Sequence, residues 1–115
     1  MTDAPLFRLD GRAALVTGAS RGLGRRFAGA LAKAGAKVAL CARDETLLKE
    51  VAAEITSAGG TAHPIVMDVT DKVSIIAGIA AAEAELGPLR AVVNNSGIAK
   101  TARLLDVDQA VEWDP

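Results

Sequence analysis

The sequence predicts an α/β fold, a doubly wound parallel sheet built in the order β-α-β-α-β-α-β. Three observations predict it. Four short apolar runs recur along the chain, each about as long as a strand covered on both faces. Segments with apolar residues at helical spacing lie between these runs. The chain has 115 residues, and half of them are hydrophobic, as in a single globular domain.

The four apolar runs are the predicted strands. They comprise residues 13–17, 37–42, 64–69 and 89–93, and a fifth segment starts near Leu105. The third strand is predicted to end with Asp68-Val69. Strands that alternate with helices form parallel sheets with right-handed crossovers, so we expect helices on both faces of the sheet.

The first two helices are predicted between the first three strands. Leu23, Phe27, Leu31 and Ala34 recur at helical spacing, and Gly35 follows as a C-terminal cap. The second helix is predicted to begin after Asp44, its expected N-cap. Its expected core stripe comprises Leu47, Leu48, Val51, Ala52 and Ile55, before Gly59-Gly60.

The third helix carries two apolar stripes. One comprises Val73, Ile76 and Ala80, and the other Ile75, Ile79, Ala82 and Leu86. Two stripes predict a helix that is buried more widely than its neighbours. Thr70 or Asp71 is the expected N-cap, and Gly87-Pro88 ends the segment.

Charge and composition exclude several kinds of partner. The chain contains thirteen Lys and Arg residues and fourteen Asp and Glu residues, which give a net charge of −1. Because no overall positive charge is present, we expect neither nucleic acid nor a membrane as a partner. The longest apolar run, residues 75–82, is shorter than the roughly 20 residues of a membrane-spanning helix.

A single cysteine, Cys41, and no visible secretory signal predict a cytoplasmic location. His63, the one histidine, has no ligand partners at metal-site spacing, so no metal is expected.

The strongest chemical signal is the segment Thr17-Gly18-Ala19-Ser20-Arg21-Gly22-Leu23-Gly24, between the first strand and the first helix. Gly18 allows a sharp turn, Gly22 allows a pyrophosphate to approach the backbone, and Gly24 allows the helix to pack closely on the sheet. The helix N-terminus offers N–H groups to the phosphates. The pattern predicts nucleotide binding. Its candidate residues are Gly18, Ser20, Arg21, Gly22, Leu23 and Gly24.

This octapeptide resembles the cofactor motif T-G-x-x-x-G-x-G of the short-chain dehydrogenases/reductases. Asn94-Asn95-Ser96-Gly97 resembles the family's N-N-A-G, with Ser96 in place of alanine, and Asp68-Val69 resembles the D-V that frames the adenine. The resemblance implies a Rossmann-type sheet with strand order 3-2-1-4 and a bound nicotinamide dinucleotide. It implies hydride transfer to or from a small carbonyl or alcohol substrate. It further implies that Asn95, Ser96 and Gly97 pass beside the ribose and nicotinamide.

The choice between NADP(H) and NAD(H) depends on the end of the second strand. An acid there binds the ribose 2′-hydroxyl, and a basic residue pairs with a 2′-phosphate. Ala42 occupies the position of the acid, and Arg43 follows it. Arg43 and Arg21 can converge on the 2′-phosphate, so we expect NADP(H) rather than NAD(H). Asp44 is the alternative, because its distance from Gly24 also fits a ribose-binding acid.

No catalytic residue is predicted within this chain. In the resembled family, catalysis uses a Ser and a Tyr-x-x-x-Lys pair beyond the N-N-A-G segment. This sequence contains no Tyr, and no Ser follows Ser96. We therefore interpret residues 1–115 as the N-terminal part of one dinucleotide-binding domain, truncated before the catalytic segment of an oxidoreductase that is a homo-oligomer at full length. The alternative is a stand-alone, non-catalytic nucleotide-binding module.

Overall fold

The computed structural model describes residues 9–95. This part of the chain forms β1 (Ala13–Thr17), α1 (Gly22–Lys33), β2 (Lys37–Ala42), α2 (Glu45–Ser57), β3 (Thr61–Val66), α3 (Lys72–Leu86) and β4 (Leu89–Val93). The α/β alternation predicted from the sequence is thereby confirmed. The predicted fifth segment, near Leu105, lies outside the described residues.

The strands form one parallel sheet in the order β3-β2-β1-β4. This is the predicted 3-2-1-4 order. The chain first moves outward from β1 to β3, with α1 and α2 against one face of the sheet. It then crosses back to β4, and α3 lies against the other face. Right-handed crossovers in opposite directions place their helices on opposite faces, which explains the two layers.

The central strands are buried from both sides. Every residue of β1 is buried, and its alternate side chains belong to different cores. Leu15 packs in the core under α3, whereas Val16 packs in the core under α1 and α2. Because both faces are covered, these strands have continuous apolar sequences instead of alternating ones.

The predicted bounds of the third strand were wrong. β3 covers Thr61–Val66 and not residues 64–69, so Asp68 and Val69 lie in the loop that precedes α3. Among the described strands, β3 pairs only with β2, and this edge position tolerates the missing N–H of Pro64. An edge strand also admits exposed residues such as Thr61, which the apolar pattern does not detect.

The buried face of α1 also differs from the prediction. Its buried residues are Gly24, Ala28 and Ala32, whereas Leu23 and Phe27 are 57% and 40% exposed. Small residues allow the helix axis to approach the sheet, and the larger side chains then lie on its flank. The predicted cap is confirmed, because Gly35 follows the helix in a left-handed conformation, with φ +102°.

In α3 only one of the two apolar stripes is buried in the described structure. Ile75, Gly78, Ala82 and Leu86 face the sheet, whereas Val73 and Ile76 are 74% and 51% exposed. The prediction of wider burial was therefore wrong for this part of the chain. Gly78 permits close packing, since a Cβ there would overlap the Met67 side chain. No helix within residues 9–95 is both long enough and apolar enough to cross a bilayer.

Candidate nucleotide-binding site

The loops that follow the four strands meet at the carboxyl edge of the sheet. They comprise residues 18–21, 43–44, 67–71 and 94–95. Backbone hydrogen bonds tie the loops to neighbouring strands: the Ala19 N–H donates to the Cys41 carbonyl at 3.1 Å, and the Met67 N–H donates to the Ala42 carbonyl at 2.9 Å. Open α/β sheets bind their ligands at this edge, where the strand order reverses.

The glycine loop has the tight geometry that the sequence predicts. Gly18 and Gly22 have φ angles of +64° and +57°, in the left-handed region that favours glycine. A Cβ at Gly24 would overlap the Gly18 carbonyl oxygen, so the helix could not begin this close to the strand with a larger residue. A Cβ at Gly22 would meet no described protein atom within 4 Å. The space in front of Gly22 is therefore open.

The N-terminus of α1 differs from those of the other two described helices. Its N-cap, Arg21, makes no side-chain cap hydrogen bond. Asp44 caps α2 by accepting from the Leu47 N–H at 3.0 Å, and Asp71 caps α3 by accepting from the Val73 N–H at 3.0 Å. The first N–H groups of α1 and the positive end of its dipole thus face the loop without a side-chain acceptor, the arrangement that binds phosphate.

A buried hydroxyl links the ends of β1 and β4. Thr17, which is fully buried, donates from Oγ1 to Asn94 Oδ1 at 2.9 Å and accepts from the Asn95 N–H at 2.9 Å. The Asn95 backbone and side chain in turn lie beside Gly18 and Gly24. The glycine loop and the segment after β4 are therefore parts of one packed unit.

We expect Thr17→Val to destabilise the protein by about 1–3 kcal/mol, because the half-buried Asn94 side chain and Asn95 N–H lose their hydrogen bonds to the hydroxyl. Urea unfolding measures this free energy. Thr17→Ser is the matched control, since it keeps the hydroxyl and removes a methyl group, at about 1 kcal/mol. Equal losses in the two variants would show that the methyl group, and not the hydroxyl, holds the strand ends together.

Asp68 is held as a carboxylate beside the end of β3. Its Oδ1 accepts from the Thr70 side chain at 2.6 Å and from the Thr70 N–H at 2.9 Å, and these bonds lower the pKa of Asp68. The positive charge of Arg43 lowers that pKa further. The Asp68 N–H donates to Ser74 Oγ at 2.9 Å, which fixes the start of the loop. A fixed carboxylate can accept hydrogen bonds from an amino group.

The candidate residues lie at different depths of this edge. Ser20 is buried in the loop, Val69 and Asn95 are half-buried, and Arg21 and Arg43 are exposed. Leu23 is also exposed, on the first turn of α1. Ser96 and Gly97, which the sequence also predicts as binding residues, lie outside the described residues.

Asp44, the alternative ribose-binding residue, has a structural role in this arrangement. Its carboxylate is the N-cap acceptor of α2. This supports the interpretation of Asp44 as a helix cap, which the sequence pattern also allowed.

Cys41 and His63 are not among the candidate binding residues at this edge of the sheet. Cys41 is buried within β2, and burial raises the pKa of its thiol to about 12, so the reactive thiolate is suppressed at neutral pH. His63 lies on β3, with Nδ1 3.8 Å from Glu85 of α3. Residues 9–95 contain no group of three or more His, Cys, Asp or Glu side chains placed to hold a metal ion.

Sequence reasoning missed the residues that orient Asp68. Thr70 and Ser74 both hydrogen-bond to it. The Asp68-Val69-Thr70 spacing is typical of an Asx turn, in which an aspartate accepts from a backbone N–H two residues later, so this signal was present in the sequence. The bond to Ser74 has no comparable local signature.

Comparison with known proteins identifies relatives of this chain. The sequence model of a family described as short chain dehydrogenase matches residues 12–115. Gluconate 5-dehydrogenase of Gluconobacter oxydans is 40% identical over 114 residues, which are 99% of this chain and 44% of that enzyme.

Solved structures agree in fold. A short-chain type dehydrogenase/reductase from Mycobacterium marinum is 44% identical with a TM-score of 0.78, and the match covers 85% of this chain and 40% of that one. A metagenomic short-chain oxidoreductase in complex with NADP is 41% identical with a TM-score of 0.74, over 78% and 41% of the two chains. The chain thus spans less than half the length of these relatives.

Proposed function

This chain belongs to the short-chain dehydrogenase family, and on that premise we propose that it is the cofactor-binding part of an NADP(H)-dependent oxidoreductase. The reaction is hydride transfer between the nicotinamide and a small carbonyl or alcohol substrate. The relatives named as dehydrogenases support this function over a stand-alone binding module.

One observation carries the proposal. The N-terminus of α1 has no side-chain cap, and a Cβ added at Gly22, the first residue of this helix, would meet no described protein atom within 4 Å. Free N–H groups, a positive helix end and open space in front of a glycine together suit a pyrophosphate. Gly18, Ser20, Arg21, Gly22, Leu23 and Gly24 form this proposed cradle.

The proposed preference for NADP(H) rests on the end of β2. Ala42 supplies no acid for a free 2′-hydroxyl, Arg43 is exposed beside it, and the Asp44 carboxylate is engaged as a cap. Arg21 lies in the neighbouring loop and supplies a second exposed guanidinium. A 2′-phosphate can pair with both groups. One structural relative was solved with NADP, which supports the same choice.

The remaining contacts follow the strand ends. Asp68 and Val69 are proposed to frame the adenine, and Asn95, Ser96 and Gly97 to lie beside the ribose and nicotinamide. The bound cofactor supplies the hydride. We place the groups that move the substrate proton outside these 115 residues, because the family's catalytic Tyr has no counterpart in a sequence without tyrosine.

Calorimetric titration of the chain with NADPH and with NADH tests the proposal. We expect NADPH to bind at least about tenfold more tightly, the effect of one charge-assisted hydrogen bond. Binding of neither dinucleotide would overturn the proposed function. Tighter binding of NADH would retain the nucleotide site and overturn only the preference for NADP(H).

A further inference from the structure

Asp68 is held at two points in the loop between β3 and α3. Its side chain accepts twice from Thr70 through one oxygen, Oδ1, which lies 2.6 Å from the hydroxyl and 2.9 Å from the backbone nitrogen. Its backbone N–H donates at 2.9 Å to Oγ of Ser74, in the first turn of α3. The protein therefore fixes both the position and the orientation of this carboxylate.

The Thr70 hydroxyl is available for this bond because the following helix has another cap. Thr70 and Asp71 are both expected N-caps by sequence. In the structure Asp71 takes that role, and its Oδ1 accepts from the Val73 and Ser74 N–H groups. Thr70 donates from its Oγ1 to Asp68 instead. The hydroxyl thus orients the carboxylate and does not cap α3.

The two carboxylate oxygens of Asp68 differ in their partners. Both Thr70 bonds go to Oδ1, and no residue within 9–95 donates a hydrogen bond to Oδ2. The same bonds lower the pKa of Asp68, so the group is ionised at neutral pH and can only accept hydrogen bonds. Oδ2 is therefore a fixed acceptor, which suits an N–H group and disfavours a carbonyl oxygen.

An acceptor of this kind distinguishes two classes of purine. Adenine carries an amino group at C6, which donates hydrogen bonds, whereas hypoxanthine and guanine carry an oxygen there, which accepts them. A carboxylate oxygen pairs with the amino group, but opposite a carbonyl oxygen it has no donor to accept from. A polar group that is left without its partner penalises the ligand that lacks the complementary group.

We propose that Thr70 is a positioning residue for the base of the dinucleotide. It orients the Asp68 carboxylate so that Oδ2 accepts from the adenine amino group, and the site thereby selects adenine over a 6-oxopurine. Ser74 supports the same contact through the backbone, because it holds the Asp68 N–H. This inference rests on the proposed function, which places the adenine beside Asp68 and Val69.

Calorimetric titration with NADPH and with its hypoxanthine analogue tests the selection. The analogue differs only in the oxygen that replaces the adenine amino group. We expect NADPH to bind at least about tenfold more tightly, the effect of one charge-assisted hydrogen bond. Equal affinities would overturn this inference and leave the proposed function standing, because both dinucleotides would still bind. Binding of neither would overturn both.

Thr70→Val removes the hydroxyl bond and should lower the preference for NADPH over the analogue about two- to tenfold, the effect of one hydrogen bond. Thr70→Ser should keep the original preference, since it keeps the hydroxyl. Thr56→Val is the matched control, because it removes the same hydroxyl from an exposed position in the last turn of α2. A merely structural role of Thr70 would weaken both dinucleotides equally, so an unchanged ratio in Thr70→Val would overturn the proposal.

Asp68→Asn carries the test if urea unfolding shows that Thr70→Val does not fold. The two Thr70 donors should hold the amide oxygen at the Oδ1 position, so that the amide nitrogen takes the place of Oδ2. That nitrogen donates hydrogen bonds, so the preference should reverse and the hypoxanthine analogue should bind more tightly than NADPH. If Asp68→Asn still prefers NADPH, the side chain at this position does not select the base and the proposal is wrong.

Discussion

Gly22→Val should weaken binding of NADPH and of NADH by more than about a hundredfold, because it blocks the proposed pyrophosphate position and keeps the phosphates from the N–H groups of α1. A Cβ at Gly22 meets no described protein atom within 4 Å, so the valine side chain would extend into the open space before α1. Calorimetry with both cofactors measures the loss.

Gly11→Val is the control for backbone strain. Gly11 also has a left-handed conformation, with φ +73°, and also has no described atom within 4 Å of an added Cβ. It precedes β1, at the opposite edge of the sheet from the candidate site. Both variants should lose about 1–2 kcal/mol of stability from the left-handed backbone. If both bind cofactor equally well, the glycine loop does not hold the pyrophosphate.

Arg43→Ala should reduce NADPH affinity about ten- to a hundredfold and leave NADH affinity nearly unchanged, since a charged hydrogen bond contributes roughly 1.5–3 kcal/mol. Arg90→Ala is the matched control, because it removes the same charge from an exposed position on β4. Titrations with both cofactors give the ratio of affinities. Equal losses for NADPH and NADH in Arg43→Ala would assign Arg43 a general structural role.

A substitution at Asp44 sharpens this test. Asp44→Ser keeps an acceptor for the Leu47 N–H and removes the negative charge next to Arg43. If Asp44 is only a cap, NADPH should bind more tightly and NADH should be unaffected. A selective loss of NADH affinity would show instead that the Asp44 carboxylate binds the ribose.

The order of elements could be predicted because it depends on local and periodic features. Both core strands, β1 and β2, match the predicted bounds, since burial from two faces leaves a continuous apolar sequence. The caps Asp44 and Asp71 act through atoms within a few residues, so they too are visible in sequence. The edge strand β3 was misplaced, because an edge accepts the exposed Thr61 and the proline at Pro64.

In the candidate site, too, local features could be predicted from the sequence and long-range contacts could not. The spacing of Gly18, Gly22 and Gly24 predicts the loop, because a backbone that turns tightly limits which residues fit. The links between loops could not be predicted in this way. Thr17 bonds to Asn94 and Asn95 across more than seventy residues of sequence, and the charge of Arg43 acts on Asp68 from another strand end.

By itself, the sequence determined the α/β class and the position of the phosphate loop, since these follow from periodicity and glycine spacing. The strand order was predicted from the resemblance to the dehydrogenase family. Only the tertiary structure decided which apolar residues are buried. In α1 the small residues Gly24, Ala28 and Ala32 face the sheet, whereas Phe27 lies on the exposed flank of the helix. Helical periodicity groups residues into stripes, but which stripe meets the sheet depends on how closely the two backbones can approach.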